Sequence, residues 1–171
     1  MLQAFPSFSP VRFLGGLAIL SMTLLPAAAD ADSDRAPLQF FNGKTEMVST
    51  VKVIMKKPFR SRAVGSGRIL PDGTLSLAQQ VFYEGEPTKQ RHWKIRQVAS
   101  SHYAGTMTEA VGPVVVDEVD GRYRFKFRMK GNLSVEQWMT PLAGGNSAKS
   151  NTTVRKFGVK VASSTGIIRR V

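Results

Sequence analysis

From Arg122 to Lys130 the chain reads Arg-Tyr-Arg-Phe-Lys-Phe-Arg-Met-Lys, with a base at every even position and an apolar residue at every odd one. A strand sends successive side chains to opposite faces, so this string separates into one basic and one apolar face. A helix would scatter both sets around its circumference. The same period of two returns elsewhere. Val51, Val53 and Met55 alternate with Lys52, Ile54 and Lys56. Trp93 and Ile95 alternate with His92, Lys94 and Arg96, and Phe157, Val159 and Val161 with Gly158, Lys160 and Ala162. Pro71-Asp72-Gly73, Glu84-Gly85-Glu86-Pro87, Asp120-Gly121, Gly131-Asn132 and Gly144-Gly145-Asn146 separate the runs as turns. The pattern predicts an all-β chain of about eight to ten strands in consecutive antiparallel hairpins. A meander of that size removes its exposed edges by closing into a barrel. A short helical turn is expected near Pro37 to Lys44.

On this reading Val51, Val53, Tyr83, Trp93, Ile95, Tyr103, Tyr123, Phe125, Phe127 and Phe157 face inward. The row Arg122, Arg124, Lys126, Arg128 and Lys130 coats the outside and is the candidate surface for anionic partners. A small barrel either fills its interior with side chains or holds one small ligand. Both alternatives stay open, a binding module or a filled structural protein. The candidate cavity residues are Tyr83, Arg91, Trp93, Tyr103, Tyr123, Phe125, Phe127 and Trp138.

The N-terminus reads as an export signal. Arg12 precedes an apolar run from Phe13 to Leu25, too short to span a bilayer, and Ala27-Ala28-Ala29 supplies the small residues of a cleavage site. Residues 1–29 are expected to be a signal peptide, 30–37 a loose lead-in, and 38–171 the barrel. No later stretch approaches transmembrane length. The chain has no cysteine, which excludes disulfides and acylation at an N-terminal cysteine. Of 24 lysines and arginines only Arg12 precedes residue 30, and all 12 acids follow it, so the exported chain carries 23 cations against 12 anions, a net +11. Such a surplus attracts anionic polymers or headgroups. Behind an export signal the expected partners are phospholipid, lipopolysaccharide or acidic glycan, and not nucleic acid.

Several strings, in their order, resemble one family. They are Phe40-Phe41-Asn42-Gly43-Lys44-Thr45; Phe82-Tyr83-Glu84-Gly85-Glu86 with Arg91-His92-Trp93; Tyr103-Ala104-Gly105-Thr106 with Ala110-Val111-Gly112; and Gln137-Trp138-Met139, Asn151 and Lys156-Phe157-Gly158-Val159. The family is the bacterial domain of unknown function numbered 3833, and the resemblance runs from about Leu38 to Arg170. It implies a lipocalin-like barrel in the envelope of a Gram-negative bacterium, here the periplasm, and it implies no activity.

The residues suggest no catalytic constellation. His92 and His102 are the only histidines and have no acid at ligand spacing, so neither metal nor cofactor is expected. No nucleophile elbow occurs. Gly65-Ser66-Gly67 lacks the glycine and helix of a phosphate loop and reads as a bend or bulge. Glu84, Glu86, Asp117, Glu118 and Asp120 read as solvated turn acids. Glu109 and Glu136 lie in or beside strand-like runs, where an inward acid could pair with Arg91 or Lys156. These four and Asn151 are the candidates for an interior polar network.

Overall fold

The alternation folds as the pleat requires. The computed structural model describes residues 37–171; the expected signal peptide and most of the lead-in lie outside the described residues. A four-residue helix, α1 (Pro37–Phe40), leads into β1 (Gly43–Val53), β2 (Phe59–Ile69), β3 (Leu75–Tyr83), β4 (Lys89–Ala99) and β5 (His102–Met107). The chain continues through β6 (Val114–Val119), β7 (Arg122–Met129), β8 (Leu133–Pro141), β9 (Ser147–Lys156) and β10 (Val159–Arg170). Each strand pairs antiparallel with the next, and β1 pairs with β10 from Thr45↔Arg170 to Val53↔Ala162, so the ten strands close a barrel. Closure leaves no open edge for another chain to extend.

The turns do what their residues allow. Asp120 and Gly121, with φ of 52° and 68°, and Phe157 and Gly158, with 50° and 83°, make hairpin connections in the left-handed region. That geometry matches the twist of the flanking strands. Asp and Gly adopt it readily, whereas Phe does not. The expectation that Phe157 faces inward is therefore corrected. It sits at the β9–β10 tip, exposed, because the strand ends at Lys156 and the turn takes Phe157 and Gly158. Met55, which continues the alternation of Val51 and Val53 by number, lies outside the strand: β1 ends at Val53, and Met55 stands exposed in the following turn.

The two ends of the barrel differ. At the end where β1 begins, α1 lies across the opening. Leu38 and Phe41 are buried, and Phe41 meets Phe125 edge-on at 6.5 Å between ring centres. Below them Leu75, Ile95, Tyr103, Val116 and Tyr123 continue the core. Glycine is required at Gly67, because a Cβ there would come within 2.1 Å of the Phe41 carbonyl oxygen. The Gly65-Ser66-Gly67 string is thus regular strand, and one of its glycines lets the cap sit down on the sheet. At the opposite end no helix crosses the mouth among the described residues.

Candidate functional site

Below the open mouth lies a cavity of about 450 Å³. Its wall follows from strand parity: Met47 and Val51 of β1, Val81 of β3, Trp93 of β4, and Phe125 and Phe127 of β7 all point into it. Trp93 meets Phe127 edge-on at 5.7 Å, so the aromatic side of the wall is fixed by packing. Polar side chains that share this face are satisfied by one another. Trp93 Nε1 donates to Gln79 Oε1 at 2.7 Å, Gln137 Nε2 to Ser150 Oγ at 2.9 Å, and the Ser49 and Ser61 hydroxyls share a bond of 2.9 Å. The interior is therefore an apolar chamber with a few placed polar groups, the common make-up of a small-molecule site.

Just inside the mouth three charged or polar groups converge. Arg91 Nε donates to the Glu109 carboxylate, and Arg91 Nη2 donates to the Tyr83 hydroxyl at 3.2 Å. Both members of the ion pair are mostly covered, with side chains 22% and 26% exposed. Lys89, one inward step closer to solvent on β4, stands 3.4 Å from Glu86 and 5.2 Å from the centre of the Tyr83 ring. Guanidinium, phenol and ammonium, with the Glu109 and Glu86 carboxylates that pair the two cations, thus line one side of the entrance.

The residues singled out from sequence separate into three places. Tyr83, Arg91, Trp93, Phe125 and Phe127 line the cavity. Tyr103 and Tyr123 belong to the buried core and are not among the residues that line the cavity. Burial raises the pKa of Tyr103, and Glu118 adds to the shift. Trp138 is corrected: it lies on the outer face, where the Arg122 and Arg124 guanidinium carbons sit 4.8 Å and 5.5 Å from its ring centre. Its parity follows from Val135, Gln137 and Met139, which take the inward positions of β8.

Of the proposed polar network, Arg91 and Glu109 do meet. Glu136 is on the outer face, accepting from Trp138 Nε1 at 3.1 Å. Asn151 faces outward too and accepts from Thr165 Oγ1 at 3.2 Å. Lys156 is exposed at the rim with its ammonium 6.0 Å from the Phe157 ring centre. These three join no interior network, because β8 and β9 turn Glu136 and Asn151 outward and Lys156 lies at the strand end.

The basic row of β7 runs along the outer face, and Asp117 offsets one of the two charges at its middle. Arg124 Nη2 and Lys126 Nζ each lie 3.0 Å from Asp117 Oδ2, and His102 Nδ1 lies 3.1 Å from Oδ1. Arg122 reaches Asp120 at 3.8 Å, while Arg128 and Lys130 are exposed. Asp117 was read as a solvated turn acid; it is buried beneath the side chains that surround it. Burial alone would raise its pKa, but hydrogen bonds from Lys126, Arg124 and His102 outweigh that and hold it down to about 2. The signal for this hub is the cross-strand pairing of Asp117 with both His102 and Arg124, which a single strand does not reveal.

A closed ten-stranded antiparallel barrel, capped at one end and open at the other, gives this chain a lipocalin-like fold. Over residues 19–170 the sequence matches the family described as "Protein of unknown function (DUF3833)", and the chain belongs to that family. No curated protein matches it. Two solved structures share the fold. One is an S-type phycobiliprotein lyase, CPES, from Guillardia theta, with a TM-score of 0.63 at 7% identity over 78% of this chain and 90% of that one. The other is a protein of unknown function from the DUF3598 family of Nostoc punctiforme, with a TM-score of 0.57 at 14% identity over 78% of this chain and 49% of that one. Identities this low carry the barrel and not its chemistry.

Proposed function

We propose that this protein is a non-enzymatic carrier or sensor of the bacterial envelope that takes one amphipathic molecule into its barrel. The apolar body of the ligand occupies the chamber and its anionic or polar head meets Arg91, Tyr83 and Lys89 at the entrance. The observation that carries this reading is the cavity of about 450 Å³ with its single charged cluster at the mouth. The volume falls in the range of small-molecule pockets, about 300–1,000 Å³. A filled barrel, the competing reading, would have no such space. Binding is supported by how the groups near the chamber are engaged: His92 and His102 are on the outer face, the Ser49 and Ser61 hydroxyls bond each other, and Arg91 is held by Glu109 and Tyr83. The neighbour named a lyase shares the fold at 7% identity, so its name is not transferred. The export signal and the basic exported chain support an envelope location.

The test is a titration with the fluorescent fatty acid cis-parinaric acid. The protein is expected to bind one molecule with saturable enhancement, and Arg91→Gln to weaken that binding about tenfold by removing a charged partner. Failure of the wild-type protein to bind this probe, or any displacing panel of fatty acids and lysophospholipids, contradicts the reading.

A further inference from the structure

Two hairpin tips stand side by side on the open rim. The β1–β2 connection follows Val53, the β9–β10 connection follows Lys156, and Ile54 N donates to the Val161 carbonyl at 2.9 Å, joining them. Each tip carries a large apolar side chain into solvent: Met55 is 99% exposed and Phe157 75%. Ile54 and Val159 beside them are exposed as well, so apolar side chains project from both neighbouring tips. Single exposed apolar residues need no explanation, but a cluster marks a contact surface.

The backbone makes these tips less incidental still. Met55 and Phe157 have φ of 60° and 50°, whereas the other non-glycine residues with positive φ among the described residues are Ser101, Asp120 and Asn132. Short polar residues enter the left-handed region at little cost, and long apolar ones do not. At Met55 and Phe157, therefore, neither burial nor backbone preference favours the residue that is present. A backbone outlier of this kind points to function when its surroundings supply one.

The surroundings are cationic. Residues 52–57 and 156–160 contain five lysines, Lys52, Lys56, Lys57, Lys156 and Lys160, and no acid. The acids of the open end stand on other connections, Glu84 and Glu86 on the β3–β4 hairpin, next along the rim through the β2–β3 pairing, and Glu109 on the β5–β6 connection. There Glu86 is paired with Lys89 and Glu109 with Arg91, while Glu84 is exposed. Apolar side chains at a tip, flanked by lysines that can reach upward, fit the boundary between acyl chains and anionic headgroups.

From this arrangement we infer that the open rim docks on anionic phospholipid bilayers, with Met55 and Phe157 inserted below the headgroups and the lysines among them. Docking of this kind turns the cavity mouth toward the membrane. It deepens the proposed function by naming the surface from which an amphipathic ligand enters, yet it is tested without any ligand. The occupant is a bilayer rather than a second copy of the chain, because the five lysines of one pair of tips would repel those of another.

Vesicle flotation tests this. Vesicles of phosphatidylcholine with 30% phosphatidylglycerol by design, and vesicles of phosphatidylcholine alone, are mixed with the purified protein at low and high salt. Wild type is expected to float with the anionic vesicles only, and salt to weaken the association. Met55→Asn with Phe157→Asn should reduce binding by about tenfold or more through loss of inserted apolar area. Because asparagine suits both turns, the doubly substituted protein should melt no lower than wild type and bind cis-parinaric acid unchanged. Arg122→Gln with Arg128→Gln, on the β7 face, should leave vesicle binding nearly intact. Wild-type indifference to anionic vesicles overturns the inference, and so does equal binding by the tip variant. A wild-type dimer that the tip substitutions dissolve, without vesicle binding, overturns it in favour of a second copy. Loss of parinaric acid binding with vesicle docking preserved would count against the cavity reading alone.

Discussion

The capped and open ends of this barrel are built from the same strands and treat aromatic residues in opposite ways. At the capped end Phe41 is buried against Phe125, and Gly67 gives up a side chain so that the Phe41 backbone can approach. At the open end Phe157 projects into solvent from a turn whose backbone disfavours it. One end is organised for burial and the other for contact. Between them the cavity reaches from the mouth to Phe41 of the cap. Stability should therefore be concentrated toward the cap.

The sharpest way to break this contrast is a pair of substitutions of the same residue type. Phe41→Ala should cost about 3–5 kcal/mol in urea unfolding, as for other buried phenylalanines. Phe157→Ala should change stability by no more than about 0.5 kcal/mol. Similar losses at both positions would erase the distinction between the ends.

Charge offers a smaller effect. Asp117 has its pKa lowered to about 2 by Lys126, Arg124 and His102 against the opposing effect of burial. A lowered carboxyl contributes stability that is complete above its unfolded value, near 3.8, and is lost as pH falls toward 2. The loss should amount to about 1–2 kcal/mol after screening, and Asp117→Asn should remove that part of the acid dependence. Unchanged acid unfolding in Asp117→Asn would show that the hub contributes little. The smallest effect is at the tip. Phe157→Asn should leave stability equal or raise it by about 0.5–1 kcal/mol, since asparagine before Gly158 relaxes the turn. A clear drop in melting temperature would mean that Phe157 packs somewhere and is no contact residue.

Much of this architecture was legible in the sequence because a pleated strand converts parity into direction. Tyr123, Phe125 and Phe127 point inward and their basic neighbours outward, as the alternation requires. The Arg91–Glu109 pair was within reach of the same logic, both being polar residues beside inward-facing apolar positions. Parity fails where a strand ends. Met55 and Phe157 continue the apolar alternation by number, yet the chain has already turned, and only the backbone angles show it. Trp138 misled for a different reason: its size suggests burial, but Gln137 holds the inward position and Trp138 is covered by arginines outside. Asp117 depends on the register of two consecutive hairpins and the seating of α1 on the contact of Phe41 with Gly67, and the alternation within one strand encodes neither.

The central claim, that the open end of the barrel holds a ligand, has a direct optical test because the two tryptophans lie on opposite sides of the wall. Trp93 lines the cavity and Trp138 stacks on the outer face. Trp138→Phe leaves Trp93 as the reporter, and Trp93→Phe leaves Trp138. Each protein is titrated with a brominated fatty acid, whose bromine quenches indole fluorescence on contact. The account predicts saturable quenching at one equivalent when Trp93 is the reporter, and little quenching when Trp138 is. No quenching of Trp93, or equal quenching of both, would contradict it.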